Sequence, residues 1–193
     1  MQKVMQKVMQ KVITIMMMAV ILAAVLPAET EAAVTAPACV TTRATQLMKE
    51  TGSDTAFIIK LGADRKGTAY MFYRSPKEKI ICDRSGAVIL GKNTPYNKSY
   101  HYSFYRNRAS EFEIMKWKKG STQYRERYTS SIICAEGAAF DIFIHSYVEY
   151  KESGKTWKTC KGASKNVDGM AMCKEFARYI WSCADPGCPV AIM

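Results

Sequence analysis

Beyond residue 55 the chain is a succession of short runs in which β-branched and aromatic residues alternate with polar ones, each closed by Gly, Pro, Asn or Ser. That spacing is the signature of half-buried strands. AFIIKL (56–61) and TAYMFYR (68–74) flank the turn segment GADRKG and predict a hairpin. KIICD, YHYSFYR, FEIMKWK, QYRERYTSSIIC and FDIFIHSYVEY follow as further strand runs. Two segments break the period of two. A short helix is predicted around residues 44–50, and MCKEFARYIWSC (172–183) places Cys173, Phe176, Ala177, Ile180 and Trp181 on one face at helical spacing. The late helix stops at ADPG and CPVAI reads as a closing strand, so the pattern predicts a mostly β domain with one late helix.

The N-terminus has a different grammar. MQKV is written three times, which sets Lys3, Lys7 and Lys11 ahead of the apolar run 12–26, and Pro27 ends that run. A basic start, an apolar stretch of 15 residues and the small residues Thr30 and Ala32 predict a secretory signal cleaved after Ala32. A spanning helix needs about 20 apolar residues; an uncleaved anchor, which would bring a membrane contact, is the alternative. The organisation expected is therefore a signal at 1–32, a lead-in at 33–55 and one domain at 56–193.

Composition narrows the partners. The 193 residues suit one domain, and 48% hydrophobic against 23% charged residues excludes disorder, collagen and coiled coil. Lys and Arg number 28 against 17 Asp and Glu. Removing 1–32 takes three Lys and two Glu and leaves a net charge of +10, so the basic character belongs to the domain and polyanions are the natural partners. All seven Cys follow residue 32, and an oxidising compartment predicts at least two disulfides among them. With no C-x-x-C and only His101 and His145 as imidazoles, no metal site is expected. No P-loop, Rossmann glycine pattern, HExxH or GxSxG occurs, and no cofactor is expected. The basic aromatic run YHYSFYRNR (100–108) and KWKK (116–119) could stack sugars or bases, or simply form a solvated strand face. A nucleic-acid partner is not expected. Glu111 with Glu113, and Asp141 with Glu149, read as solvated strand neighbours rather than a glycosidase pair.

The order of the later landmarks resembles the L,D-transpeptidase catalytic domain, an exported cysteine acyltransferase family that cross-links bacterial peptidoglycan. IICDRSG followed by NTPYNKSYHYSF is similar to the family's small-residue turn, its T-P-x-G segment and an aromatic strand. KWKKGSTQYRERY resembles its Trp-containing strand with Gly-x-x-Gln-Tyr, FIHSYVEY its strand ending in His-Ser, and EFARYIW with PGCPVAI its helix and closing strand. The resemblance spans about residues 56–193 and implies an L,D-transpeptidase-like β-sandwich. It also implies secretion or cell-wall association and a partner in peptidoglycan or another anionic wall polymer.

At the centre of the chemistry the sequence departs from that family. Members carry S-H-G-C-x-R before the late helix, with the Cys as nucleophile. Counting back from Ala177 without gaps puts Asn166, Val167, Asp168, Gly169 and Ala171 at Ser, His, Gly, Cys and Arg; sliding by one puts Met170 at the Cys and Met172 at the Arg. Neither register supplies a thiol, and no thioether or glycine can form an acyl-enzyme. His145 and Ser146 match the family's general base and its neighbour, 24 residues before Gly169; His145 as a hydrogen-bonded strand residue is the other reading. Cys173, expected on the helix's apolar face, is the candidate for a relocated thiol. Three readings result: a catalytically impaired, exported member of the family, a pseudoenzyme held to the wall; an active acyltransferase using Cys173; and a disulfide-stabilised basic secreted binding module.

Overall fold

The computed structural model describes residues 34–105, 115–128, 130–134, 142–161 and 168–193. Twelve strands and two helices are found among them. Eight strands close into a ring in the order β1 (55–61), β12 (189–192), β4 (102–105), β7 (130–134), β8 (142–146), β11 (170–172), β3 (80–90) and β2 (66–74), and four form a separate sheet in the order β10 (158–159), β9 (149–151), β6 (122–126) and β5 (115–119). The mostly β fold expected from the alternating runs is what the chain adopts.

The near-continuous apolar run of β1 (Thr55–Leu61) is explained by burial on both faces. Phe57, Ile59 and Leu61 enter the core inside the ring, while Ala56 and Ile58 face a second core under helix α1 (Ala38–Thr51). β2 (Lys66–Arg74) divides likewise, with Ala69 and Met71 inside and Tyr70 and Phe72 under the helix. α1 buries Val40, Ala44, Leu47 and Met48 at helical spacing and ends at Gly52, whose φ of 69° suits a residue without Cβ. It is longer than the predicted 44–50 because Pro37 starts it: the Pro37 carbonyl accepts from the Val40 and Thr41 N–H groups. β12 (Pro189–Ile192) runs parallel to β1 and closes the ring against β4 (Tyr102–Tyr105).

The late helix α2 (Lys174–Cys183) begins two residues after the predicted start. Met172 belongs instead to β11 (Met170–Met172), and Cys173 takes an extended conformation at the helix N-cap position. Phe176, Ala177 and Ile180 join the ring's core as the periodicity predicts, and Trp181 is partly buried against it. The Phe176 ring occupies the space left by Gly86 in β3 (Ile80–Leu90), where a Cβ would stand 2.5 Å from it.

Two runs that read as single strands each divide between the sheets. QYRERYTSSIIC becomes β6 (Thr122–Glu126) of the small sheet and β7 (Ser130–Cys134) of the ring, with Tyr128 at a φ of 53° between them. FDIFIHSYVEY becomes β8 (Ile142–Ser146) of the ring and β9 (Glu149–Lys151) of the small sheet. The small sheet is completed by β5 (Met115–Lys119) and β10 (Lys158–Thr159). The two crossovers are tied together: the Ser146 N–H donates to the Arg127 carbonyl at 2.8 Å, and the Arg127 N–H to Ser146 Oγ at 3.0 Å.

The expected disulfides are not formed. All seven cysteines lie among the described residues and none is bridged. Cys82, Cys134 and Cys188 are buried separately, Cys82 beneath α1 and the other two in the ring's core, while Cys39 and Cys183 are exposed. Cys82 is thus buried in a different cluster from Cys134 and Cys188. Among the described residues no helix is long and apolar enough to cross a membrane. The expected signal at 1–32 lies outside the described residues.

Candidate functional site

Along β8 the side chains alternate: Ile142 and Ile144 point into the ring, while Phe143 and His145 point out of it. Phe143 is half exposed as an outward residue should be, yet His145 is only 1% exposed. The difference comes from the crossovers, which fold β6 and β9 back beside the end of β8. His145 Nδ1 lies 2.8 Å from the Ser146 carbonyl. A carbonyl only accepts, so Nδ1 carries the proton and the Nε2 lone pair is left available. Burial holds the imidazole below its ordinary pKa, against the opposing effect of the Ser146 and Asp168 backbones, and the ring is neutral at pH 7. Nε2 is buried and has no hydrogen-bond partner among the described residues.

The group facing Nε2 is Gly169. A Cβ at that residue would stand 3.2 Å from both Nε2 and Cδ2 of His145. It would also stand 2.6 Å from the Phe143 carbonyl oxygen, and the Gly169 φ of 104° is one that residues with side chains rarely adopt. The conformation is held from the other side. The Gly169 N–H donates to Thr94 Oγ1 at 2.6 Å, and the Gly169 carbonyl accepts from the Gly91 N–H at 2.8 Å. Thr94 is itself buried, and its carbonyl accepts from Arg65, whose guanidinium lies over the Tyr96 ring.

Gly169 and Met170 stand differently toward the imidazole. Met170 pairs with Ile144 on the parallel neighbour and its side chain is fully buried in the core, as is that of Met172. Neither reaches the imidazole. Gly169 is the one of the two that meets His145. Ala171 lies opposite His145 across the β8–β11 pair, and Asp168 is exposed with its backbone beside the ring. Asn166 and Val167 lie outside the described residues.

Cys173 stands elsewhere. It follows Met172, which is level with Ser146, so it lies past Ala171 in the direction away from Gly169. Successive same-face residues of a strand are about 6.5–7 Å apart, and the His145 ring leans toward the Gly169 end. The thiol is half buried and lines a cavity of about 450 Å³ with Tyr147, Glu149, Thr159, Lys161, Lys174 and Glu175; His145 is not in its wall. The placement of Cys173 inside the helix, expected from the helical spacing, is thus corrected: Cys173 stands at the N-cap position, just before the helix begins at Lys174, and packs partly buried against the core. Ser146 is buried too, and its hydroxyl serves the crossover, accepting from Arg127 and donating to the Tyr147 carbonyl at 3.2 Å.

Two residues of the site gave no chemical signal in the sequence. Glu126 sits with Oε2 3.7 Å from His145 Nδ1, and burial alone pushes its carboxyl up to about 7. Within the run QYRERY it looks like one charge of a solvated alternation. Thr94 lies inside the T-P landmark, and only its pairing 75 residues away reveals its role. Of the other carboxylates, Glu149 is bound by Arg125 at 2.6 Å and Arg127 at 3.2 Å; Glu111, Glu113 and Asp141 lie outside the described residues. Among the described residues no group of three His, Cys, Asp or Glu is placed to hold a metal ion. Lys118 and Lys119 are exposed at the end of β5.

Compared with known proteins, the sequence matches no family profile and no curated protein. The fold is shared with a solved structure from Clostridium acetobutylicum, a fused Zn-dependent amidase/peptidase/peptidoglycan-binding domain-containing protein, at a TM-score of 0.50 and 15% identity. The match covers 81% of this chain and 59% of that one, so the chain spans a little over half the length of that protein. At this identity the likeness is one of fold.

Proposed function

We propose that the protein is a catalytically silent member of the L,D-transpeptidase family, exported by residues 1–32, whose basic domain holds peptidoglycan or a similar anionic wall polymer. One observation carries the reading: a neutral, buried imidazole, oriented by a backbone carbonyl and with its free nitrogen turned to position 169, meets a glycine there. A general base without a nucleophile cannot form an acyl-enzyme. The ordered landmarks that suggest the family are spread over the ring, the small sheet and α2, and the solved structure of similar fold is described as containing a peptidoglycan-binding domain. An active enzyme using Cys173 is disfavoured by the separation of that thiol from His145. A disulfide-stapled module is disfavoured by seven unbridged cysteines.

The test has two arms. Purified protein should neither exchange D-amino acids into tetrapeptide stems nor gain the mass of a carbapenem; an adduct mapped to Cys173 would overturn the silent reading. The protein should also sediment with purified sacculi, and less so as salt screens its charge. Retention unaffected by salt and by Ala at Lys116, Lys118 and Lys119 would refute the electrostatic account.

A further inference from the structure

The cavity of about 450 Å³ beside α2 is separate from the His145–Gly169 contact, and its volume falls within the range of small-ligand sites, roughly 300–1,000 Å³. Its walls come from four elements: Tyr147 and Glu149 after β8, Thr159 and Lys161 at the end of β10, Cys173, and Lys174 with Glu175 in the first turn of α2. Tyr147 is a fixed wall, since it is buried and its hydroxyl donates to the Ala87 carbonyl at 3.1 Å. Lys161 lies over that ring with Nζ 5.4 Å from its centroid. Glu149 is already taken by two guanidiniums, and one of these, Arg125, is stacked 3.9 Å from the Trp157 ring. By contrast, neither Lys161 nor Lys174 lies within ion-pair distance of a carboxylate among the described residues. Glu175 is the single acid of the lining that no arginine engages. The charge of the cavity is therefore positive, with two ammonium groups left to answer an anion.

We propose that this cavity binds the C-terminal carboxylate of a short peptide, with Lys161 and Lys174 as the anion-holding groups, Thr159 as a neutral hydrogen-bonding group and the Tyr147 ring as the apolar wall for the last side chain. A singly charged carboxylate suits two ammonium groups set beside Glu175, whose own charge opposes a ligand of higher charge. The proposal deepens the wall-binding reading: it rests on that reading for the source of the peptide, and not for its chemistry.

Cys173 provides a reporter inside the cavity. The purified chain is alkylated with iodoacetamide, with Cys173 followed by peptide mass mapping, in the presence of D-Ala-D-Ala, L-Ala-L-Ala or the C-terminal amide of each; affinity is read in parallel by calorimetry. Expected are slower alkylation of Cys173 with a free-acid dipeptide, unchanged labelling of the exposed Cys183, and no protection by either amide. Lys161→Gln and Lys174→Gln, both at exposed positions, should each weaken binding about tenfold, as loss of a charge-assisted hydrogen bond does. Preference for the D,D peptide assigns the source to wall stems, and preference for the L,L peptide to ordinary protein termini. Equal protection by acid and amide, or none by either, overturns the proposal. Sacculus sedimentation that persists in that event leaves the wall-binding reading standing, whereas dipeptide binding without sedimentation removes that reading and keeps this site.

Discussion

The sign of the stability change in Gly169→Ala tests whether position 169 is closed against the His145 ring. At a compatible backbone conformation, replacing Gly by Ala stabilises a protein by about 0.4–1 kcal/mol through the unfolded chain. Here the residue has a φ of 104°, and the new Cβ would meet the Phe143 carbonyl oxygen at 2.6 Å and the His145 ring at 3.2 Å. Strain of this kind costs about 1–3 kcal/mol for the dihedral alone. The oxygen belongs to the backbone of a ring strand and cannot swing aside as a side chain would. Gly169→Ala should therefore destabilise the protein by at least about 1–3 kcal/mol. For a domain of this size that lowers Tm by roughly 2–4 °C per kcal/mol. Urea titrations followed by fluorescence and by circular dichroism, with coincident curves and unchanged m, would measure it. A variant of equal or greater stability would refute the reasoning, because Gly169 would then not be held against His145. The same strain predicts that Gly169→Cys folds less stably than the parent chain.

Other outcomes follow from the packing and from the buried acid. Glu126 binds its proton more tightly folded, near pH 7, than unfolded, near 4.5, so between those values the native state holds more protons and stability falls as pH rises; the full gap corresponds to an upper limit of about 3 kcal/mol. Glu126→Gln should flatten that slope in denaturation measured from pH 4.5 to 7, and an unchanged slope would count against a buried carboxyl. His145 acts in the opposite sense: its native pKa is depressed, so its contribution is complete above about 6.5 and is lost on acidification, a loss that His145→Gln should remove. Gly86→Ala should cost about 1–3 kcal/mol by pressing on Phe176, and less in a Phe176→Leu background; additive costs would show that the two do not touch. Native alkylation near pH 8 should label Cys39 and Cys183 first and Cys82 and Cys188 last, since burial pushes the latter two thiols up to about 11. Early loss of Cys188 would contradict its place in the core.

How much of this was legible beforehand depends on whether a feature is local. Alternation of period two and the helical spacing of Phe176, Ala177 and Ile180 report which face of an element is buried, and they led to the mostly β class, the 56–74 hairpin and the late helix. The absence of a thiol at either motif register was also readable, because it needs only residue identities. The breaks at Tyr128 and after Ser146 were not, since a strand that leaves one sheet for another keeps its alternating pattern while its partners change. Nor could spacing tell which of Gly169 and Met170 lies against His145. The β8–β11 register sends Met170 inward, and Thr94 holds Gly169 from 75 residues away. Glu126 shows the same limit in its charge: a glutamate between two arginines is a solvated residue by composition, and only the fold of β6 over β8 buries it against His145 and leaves it a weak acid. Local sequence determines what each segment can bury, whereas contacts between segments decide what faces what, and the chemistry of this site lies in the second.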